Sequence, residues 1–194
     1  MMAGRDAPVA VAAAAAPAEP RPAIGAVWQA LAAVPDPEIP AVSIVDLGIL
    51  RGVGWDADDP AMAVVTVTPT YSGCPATELI MASIRDALTA AGVARIRLAI
   101  EFAPAWTTDW ITAEGRRKLR EFGIAPPDGT RAASASTPID VAGISPLRRA
   151  RVAVACPRCG SIDTRLLSQF GSTACKAQYR CLACLEPFDY FKPH

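Results

Sequence analysis

From Ile24 onward the apolar positions fall into a helical rhythm, Ile24, Val27, Trp28, Leu31 and Val34, which Pro35 and Pro37 then bring to a stop. The spacing predicts an amphipathic helix of about three turns. Three prolines between Pro35 and Pro40 remove backbone donors and impose extended turns, so this stretch reads as a rigid loop carrying Asp36 and Glu38. Ile44 to Val53 and Met62 to Thr68 are rich in β-branched residues and flank turn residues from Gly54 to Pro60; they predict an antiparallel strand pair. Beyond Thr70–Pro75, the positions Leu79, Ile80, Ile84, Ala87 and Leu88 mark a second amphipathic helix ending near Gly92. In Ala94 to Phe102, Ile96, Leu98 and Ile100 alternate with Arg95, Arg97 and Glu101, a strand with one face on the core and one towards water. A last helical segment, opened by Trp106–Trp110, carries Arg116, Arg117, Lys118 and Arg120 and closes at Gly123 and Pro126.

Two stretches lack any such rhythm. Residues 1–23 are Ala and Pro with little else, too poor in large apolar groups to offset the entropy of ordering, and read as a disordered tail. The alanine run from Pro8 to Pro17 is short and follows Arg5 and Asp6, which separates it from a signal peptide. Residues 128–150, rich in Ala, Ser, Thr and Pro, read as a flexible linker between an α/β domain at 24–127 and a small module at 151–194.

Charge changes this picture little. Nineteen basic and nineteen acidic side chains cancel, so nothing global draws the chain to nucleic acid or to an anionic membrane surface. No window approaches the ~18 consecutive apolar residues of a membrane span, and a cytoplasmic location is expected. Arg148, Arg149, Arg151 and Arg158 beside the module raise the idea of a nucleic-acid-binding ribbon, which the neutral balance disfavours. The basic run Arg116–Arg120 is ordinarily a solvated helix face.

The cysteines carry more chemistry. Cys156-x-x-Cys159 and Cys181-x-x-Cys184 are two turn-borne pairs about twenty residues apart, the spacing of a β ribbon closed around one ion by four thiolates. Gly160 permits the backbone turn that follows the first pair. A closed four-thiolate site is structural; zinc is the expected ion, and rubredoxin-like iron shares the spacing. Cys175 is a fifth thiol nearby, read chiefly as a small buried residue, with substitution as a ligand as the alternative. The fold class expected is therefore α+β: a small three-stranded sheet with packed helices, followed by a separate C-terminal β zinc ribbon.

Cys74 stands apart, between a strand and a helix that Pro75 opens. A helix N-terminus favours thiolate, a soft metal ligand or nucleophile, although Glu78 in the first turn opposes this. The competing reading is a packed core residue. Asp36, Glu38 and Asp46 are candidates to approach Cys74, though turn carboxylates commonly act as caps. The only histidine is His194, so histidine-based catalysis within the folded units is not available, and independent enzymatic activity is not expected.

Together, Asp36-Pro-Glu-Ile-Pro, Asp46-Leu-Gly and Thr68-Pro-Thr-Tyr-Ser-Gly-Cys-Pro-Ala-Thr77 resemble the metal–sulfur cluster assembly domain of SufT-like proteins. Pro104–Thr112, Phe170–Lys176 and Glu186–His194 resemble more narrowly the D subunits of phenylacetyl-CoA epoxidase systems. The resemblance spans Ile24–Pro127 and Val152 to the end. It implies an accessory role in aerobic phenylacetate breakdown, with the di-iron oxygenase and the flavin and [2Fe-2S] reductase as partners alongside iron–sulfur assembly proteins. It further implies that Cys74 transiently holds iron or an iron–sulfur cluster, for which Asp36 or Glu38 on the proline loop are the candidate assisting carboxylates. A non-catalytic structural component of the same complex is the alternative.

Overall fold

The computed structural model describes residues 21–71, 73–127 and 153–193. The expected linker at 128–150 and all but the last residues of the expected tail lie outside these. The first helix, α1 (Ile24–Ala32), buries Val27 and Leu31 one turn apart and stops before Pro35, as its apolar spacing requires. Pro35 bridges to Ser43 and the Asp36 N–H bonds to the Val42 carbonyl at 2.8 Å, so the proline segment is a closed loop pinned at its neck.

The expected strand from Ile44 begins only at Leu50. Residues Ser43 to Ile49 turn instead, because Ser43 and Asp46 cap one another: the Ser43 N–H donates to Asp46 Oδ2 at 2.9 Å and the Asp46 N–H donates to Ser43 Oγ at 3.1 Å. This Ser-x-x-Asp reciprocity is a local competitor to strand pairing. Gly48 then takes φ +68°, where a Cβ would lie 2.6 Å from Trp110 Cβ.

Strands β1 (Leu50–Trp55) and β2 (Met62–Val67) form the expected antiparallel pair, with Val53 opposite Val65. Helix α2 (Ala76–Ala90) crosses over to β3 (Arg95–Ile100), which lies parallel to β2; the sheet order is β1-β2-β3. Ala63, Val65 and Val67 alternate inward along β2 and share one core with Ala76, Ile80, Ile84 and Leu88 from α2. The basic residues of β3 face water, Arg95 and Arg97 pairing with Asp59 and Asp56 at 2.7 Å; both arginines are more than half exposed, so these pairs add little stability.

A single 3-10 turn at Thr108–Trp110 leads to α3 (Ala113–Phe122), capped by Thr112 Oγ1 on the Gly115 N–H and ended by left-handed Gly123. The basic run on α3 is largely engaged within the protein. Arg116 donates to the carbonyls of Thr108 and Pro127, Arg117 pairs with Glu114 and Glu121, and Lys118 Nζ meets Asp46 Oδ2 at 2.7 Å. Burial alone would push the Asp46 carboxyl up, but the bonds from Lys118 and Ser43 outweigh it and hold the group below the usual carboxylate range. A depressed folded-state value stabilises the fold above the unfolded value and is lost as pH falls through the folded one. The expected result is a urea midpoint that drops more steeply from about pH 5 to about pH 3 in the wild type than in Asp46→Asn. Parallel slopes in equilibrium melts would remove this role.

The chain then enters a second sheet. β4 (Ile124–Ala125) pairs in parallel with β7 (Pro187–Phe191), and β6 (Lys176–Cys181) lies antiparallel between β7 and β5 (Thr164–Ser168). The order is β4-β7-β6-β5. The ribbon has its own small core of Ala125, Val154, Cys156, Cys181, Phe188 and Tyr190. It is also docked: β4 comes from the first unit, while Cys175 and Phe191 are buried in the first unit's core, where Phe191 meets Trp106 with ring centroids 6.0 Å apart.

Candidate functional sites at two thiol clusters

The first cluster is built on two matching turns. Cys156 and Cys159 lie on a turn closed by the Gly160 N–H on the Cys156 carbonyl at 2.9 Å, with Gly160 at φ +76°. Cys181 ends β6, and Leu185 stands after Cys184 as Gly160 stands after Cys159, in the same left-handed region at φ 66°. A leucine is strained there by about 1 kcal/mol, a cost the closed turn must offset. Sγ–Sγ distances are 3.8 Å for Cys156–Cys184 and 3.5 Å for Cys159–Cys181, and the four sulfurs lie within 4.8 Å of one another. Tetrahedral thiolates about 2.3 Å from one ion stand about 3.8 Å apart, so the donor set fits a single metal ion. The Cys184 N–H in particular, with that of Ala183, lowers Cys181 to about 6, which favours its thiolate. Cys156 and Cys181 are buried, and four sulfurs would fill the coordination shell of one ion, which is the arrangement of a structural site.

The second cluster surrounds a cavity of about 20 Å³ between the proline loop, the start of α2 and the approach to β6. Asp36, Glu38, Cys74 and Cys175 line it, with Ile39, Leu47, Ile80 and Phe191 among its apolar walls. Cys74 is half-buried two residues before α2, its carbonyl accepting from the Thr77 N–H at 3.1 Å. The proline loop delivers the carboxylates. Asp36 Oδ1 accepts the N–H groups of Glu38 at 2.9 Å and Ile39 at 2.8 Å, a turn that fixes both acids on one side of the loop. Burial nevertheless raises Asp36, and burial together with the Asp36 charge raises Glu38. Tyr71 is pushed up to about 12 by burial and by its contact with Cys74, with Glu38 and Cys175 acting in the same direction.

The structure therefore gathers Asp36, Glu38 and Cys74 at one cavity and sends Asp46 elsewhere, to Ser43 and Lys118. The sequence reading undervalued Cys175. It is buried, as expected, but on the cavity wall: its Sγ lies 3.0 Å from Thr173 Oγ1 and 4.0 Å from Glu38 Oε2, and burial raises its pKa. Its backbone is tied to the end of β7 by the Lys192 N–H at 2.9 Å. Its place in the block Phe170–Lys176, outside either Cys-x-x-Cys pair, was the available signal.

Residues 25–97 match the family described as iron-sulfur cluster assembly protein, and residues 143–192 match the PaaD zinc beta ribbon domain. A protein of Escherichia coli (strain K12), provisionally described as the D component of 1,2-phenylacetyl-CoA epoxidase, is 46% identical over 176 residues, 88% of this chain and 93% of that protein. An Fe-S protein maturation auxiliary factor of Porphyromonas gingivalis (strain ATCC BAA-308 / W83) is 34% identical over 90 residues, 46% of this chain and 83% of that one. Among solved structures, the DUF59 domain from Bacillus anthracis is 29% identical, with 49% of this chain and 89% of that one covered at a TM-score of 0.45. No described helix is long and apolar enough to cross a membrane.

Proposed function

The chain belongs to the family of phenylacetyl-CoA epoxidase D subunits, and from that premise we propose that it is an accessory subunit which assists iron or iron–sulfur assembly in the epoxidase's oxygenase or reductase. The system would serve aerobic phenylacetate degradation in the cytoplasm. Cys74 is the residue that handles the incoming iron or cluster, with Asp36 and Glu38 as assisting carboxylates. The observation that carries this reading is their convergence: a thiol, the buried Asp36 carboxylate and the half-buried Glu38 carboxylate line one cavity, inside the segment that matches the cluster-assembly family. Soft sulfur with harder oxygen suits a borderline ion such as iron(II). The four ribbon cysteines hold zinc in this reading, an ion without redox chemistry that closes the module at 151–194 and leaves transfer to the unit at 24–127.

Cys74→Ser is expected to fold normally and to lower several-fold the iron or cluster content of the reductase or oxygenase in cells. Metal analysis of those subunits after anaerobic purification measures it; full loading in the variant would remove the reading. A purely structural role in the complex is favoured by a different observation, the exposure of Ile162, Phe170 and Leu185 on the ribbon at 69%, 66% and 59%. That role would give co-purification at fixed ratio and indifference to Cys74→Ser.

A further inference from the structure

On the ribbon, Arg165 of β5 stands directly opposite Arg180 of β6. Residues paired in this way across antiparallel strands project from the same face, and like charges so placed are destabilising. Both side chains are exposed, and neither has an ion pair among the described residues, although Asp163 and Glu186 lie nearby in the chain. Arg165 makes no side-chain hydrogen bond there either, while Arg180 Nε donates to the Leu185 carbonyl at 3.2 Å. β5 is the outer strand of the order β4-β7-β6-β5, and a charge on an outer strand deters self-pairing. That accounts for Arg165 but not for Arg180, which sits on an inner strand.

Exposed apolar side chains accompany the pair. The Arg180 bond sets Leu185 beside it, and the Leu182 N–H donates to the Asp163 carbonyl at 2.8 Å, which ties the second cysteine turn to the segment entering β5. Ile162, Leu182 and Leu185 therefore lie at this end of the sheet, all of them open to water. We propose that Arg165 and Arg180, with Ile162, Leu182 and Leu185, form a docking surface for a protein segment in which a carboxylate is flanked by apolar side chains. The segment belongs to the epoxidase subunit that the chain serves, so this deepens the accessory reading above and rests on it.

Charge complementarity identifies the occupant. A carboxylate placed between two facing guanidiniums accepts from both and turns their repulsion into attraction, a gain that exists only in the complex. Burying leucine and isoleucine around that contact excludes water from it and strengthens it. A nucleic-acid backbone fits the same two cations less well. It needs a row of them along its phosphates, and the flanking side chains here are aliphatic, with no aromatic ring to stack on a base.

The test is calorimetric titration of the full-length, zinc-loaded chain with the purified oxygenase and reductase subunits, at low and at high salt, with the denaturant midpoint of each variant measured alongside. Wild type should bind one of the subunits, more weakly as salt rises. Arg165→Glu should lose at least about tenfold in affinity and most of the salt dependence. Its own midpoint should hold or rise, because the new glutamate faces Arg180 across the strands. Opposite signs for binding and stability are what a merely structural arginine would not give. Ile162→Ser should weaken binding equally at both salt concentrations. Wild-type affinity in Arg165→Glu, or no binding of either subunit by the wild type, would overturn the proposal, as would salt-sensitive retention of duplex DNA that Arg165→Glu abolishes. If Arg165→Glu binds normally while Cys74→Ser still lowers client metal loading, the docking surface falls and the maturation reading stands. If loading is also unchanged in Cys74→Ser, both fall.

Discussion

Cys181→Ser is expected to unfold the second sheet and, with it, one wall of the cavity. Removing one of four thiolates would break a closed coordination shell, and an ion in such a shell contributes, where it is structural zinc, on the order of 10–16 kcal/mol to folding. Whole domains are stable by only about 5–15 kcal/mol. The ribbon's own core cannot offset that loss, since it comprises Ala125, Val154, Cys156, Cys181, Phe188 and Tyr190, and two of these belong to the four-sulfur cluster. Amide hydrogen exchange in the full chain measures the outcome. Protection should vanish along Lys176–Cys181 and Pro187–Phe191 and fall only in part at Val65 and Val67, which lie in the other sheet but share a core with Phe191. Chelation of the wild-type ion should reproduce the pattern. Native protection of β6 in metal-free protein would show that packing alone holds the ribbon.

Phe191→Ala should be the most costly single truncation in the apolar core. Phe191 is 1% exposed and is the largest of the fully buried side chains. Phenylalanine-to-alanine changes in cores cost about 3–5 kcal/mol, through lost transfer energy and the void left behind. Here the void opens on an existing cavity, because Phe191 lines the space shared by Cys74 and Cys175, and it also removes the tilted contact with Trp106. The residue belongs to β7 but packs in the first core, so the loss should lower the denaturant midpoint of both sheets together. Phe191→Leu, which keeps much of the volume, should cost about 1–1.5 kcal/mol. A loss confined to the ribbon signals, with the α/β unit unmoved, would mean that the docking contact contributes nothing.

These two experiments probe a coupling that the linear pattern does not display. The elements themselves were legible. Val27 and Leu31, or Ile80, Ile84 and Leu88, repeat at the helical period, and β2 alternates buried and half-buried positions at period two, so each buries one face whatever its neighbours are. The two Cys-x-x-Cys pairs were legible for a related reason: four thiolates around one ion need two tight turns, and tight turns have fixed residue spacing. The start of β1 was misjudged because Ile44, Val45 and Ile49 satisfy strand composition, while the Ser43–Asp46 cap and left-handed Gly48 commit the backbone to turns. Asp46 was grouped with Asp36 and Glu38 by proximity in sequence. The helix α3 claims it through Lys118, a partner 72 positions away.

The amino-acid order by itself determined the periodic elements, the two Cys-x-x-Cys turns and the place of Cys74 ahead of a helix, since each depends on neighbours within a turn or two of the chain. Only the tertiary structure decided that β4 closes the ribbon's sheet, that Phe191 fills the first unit's core, and that Cys175 shares a cavity with Cys74 and Glu38. Those outcomes follow from how two apolar surfaces exclude water against each other. That is a property of shape at long sequence separation, and no local period encodes it.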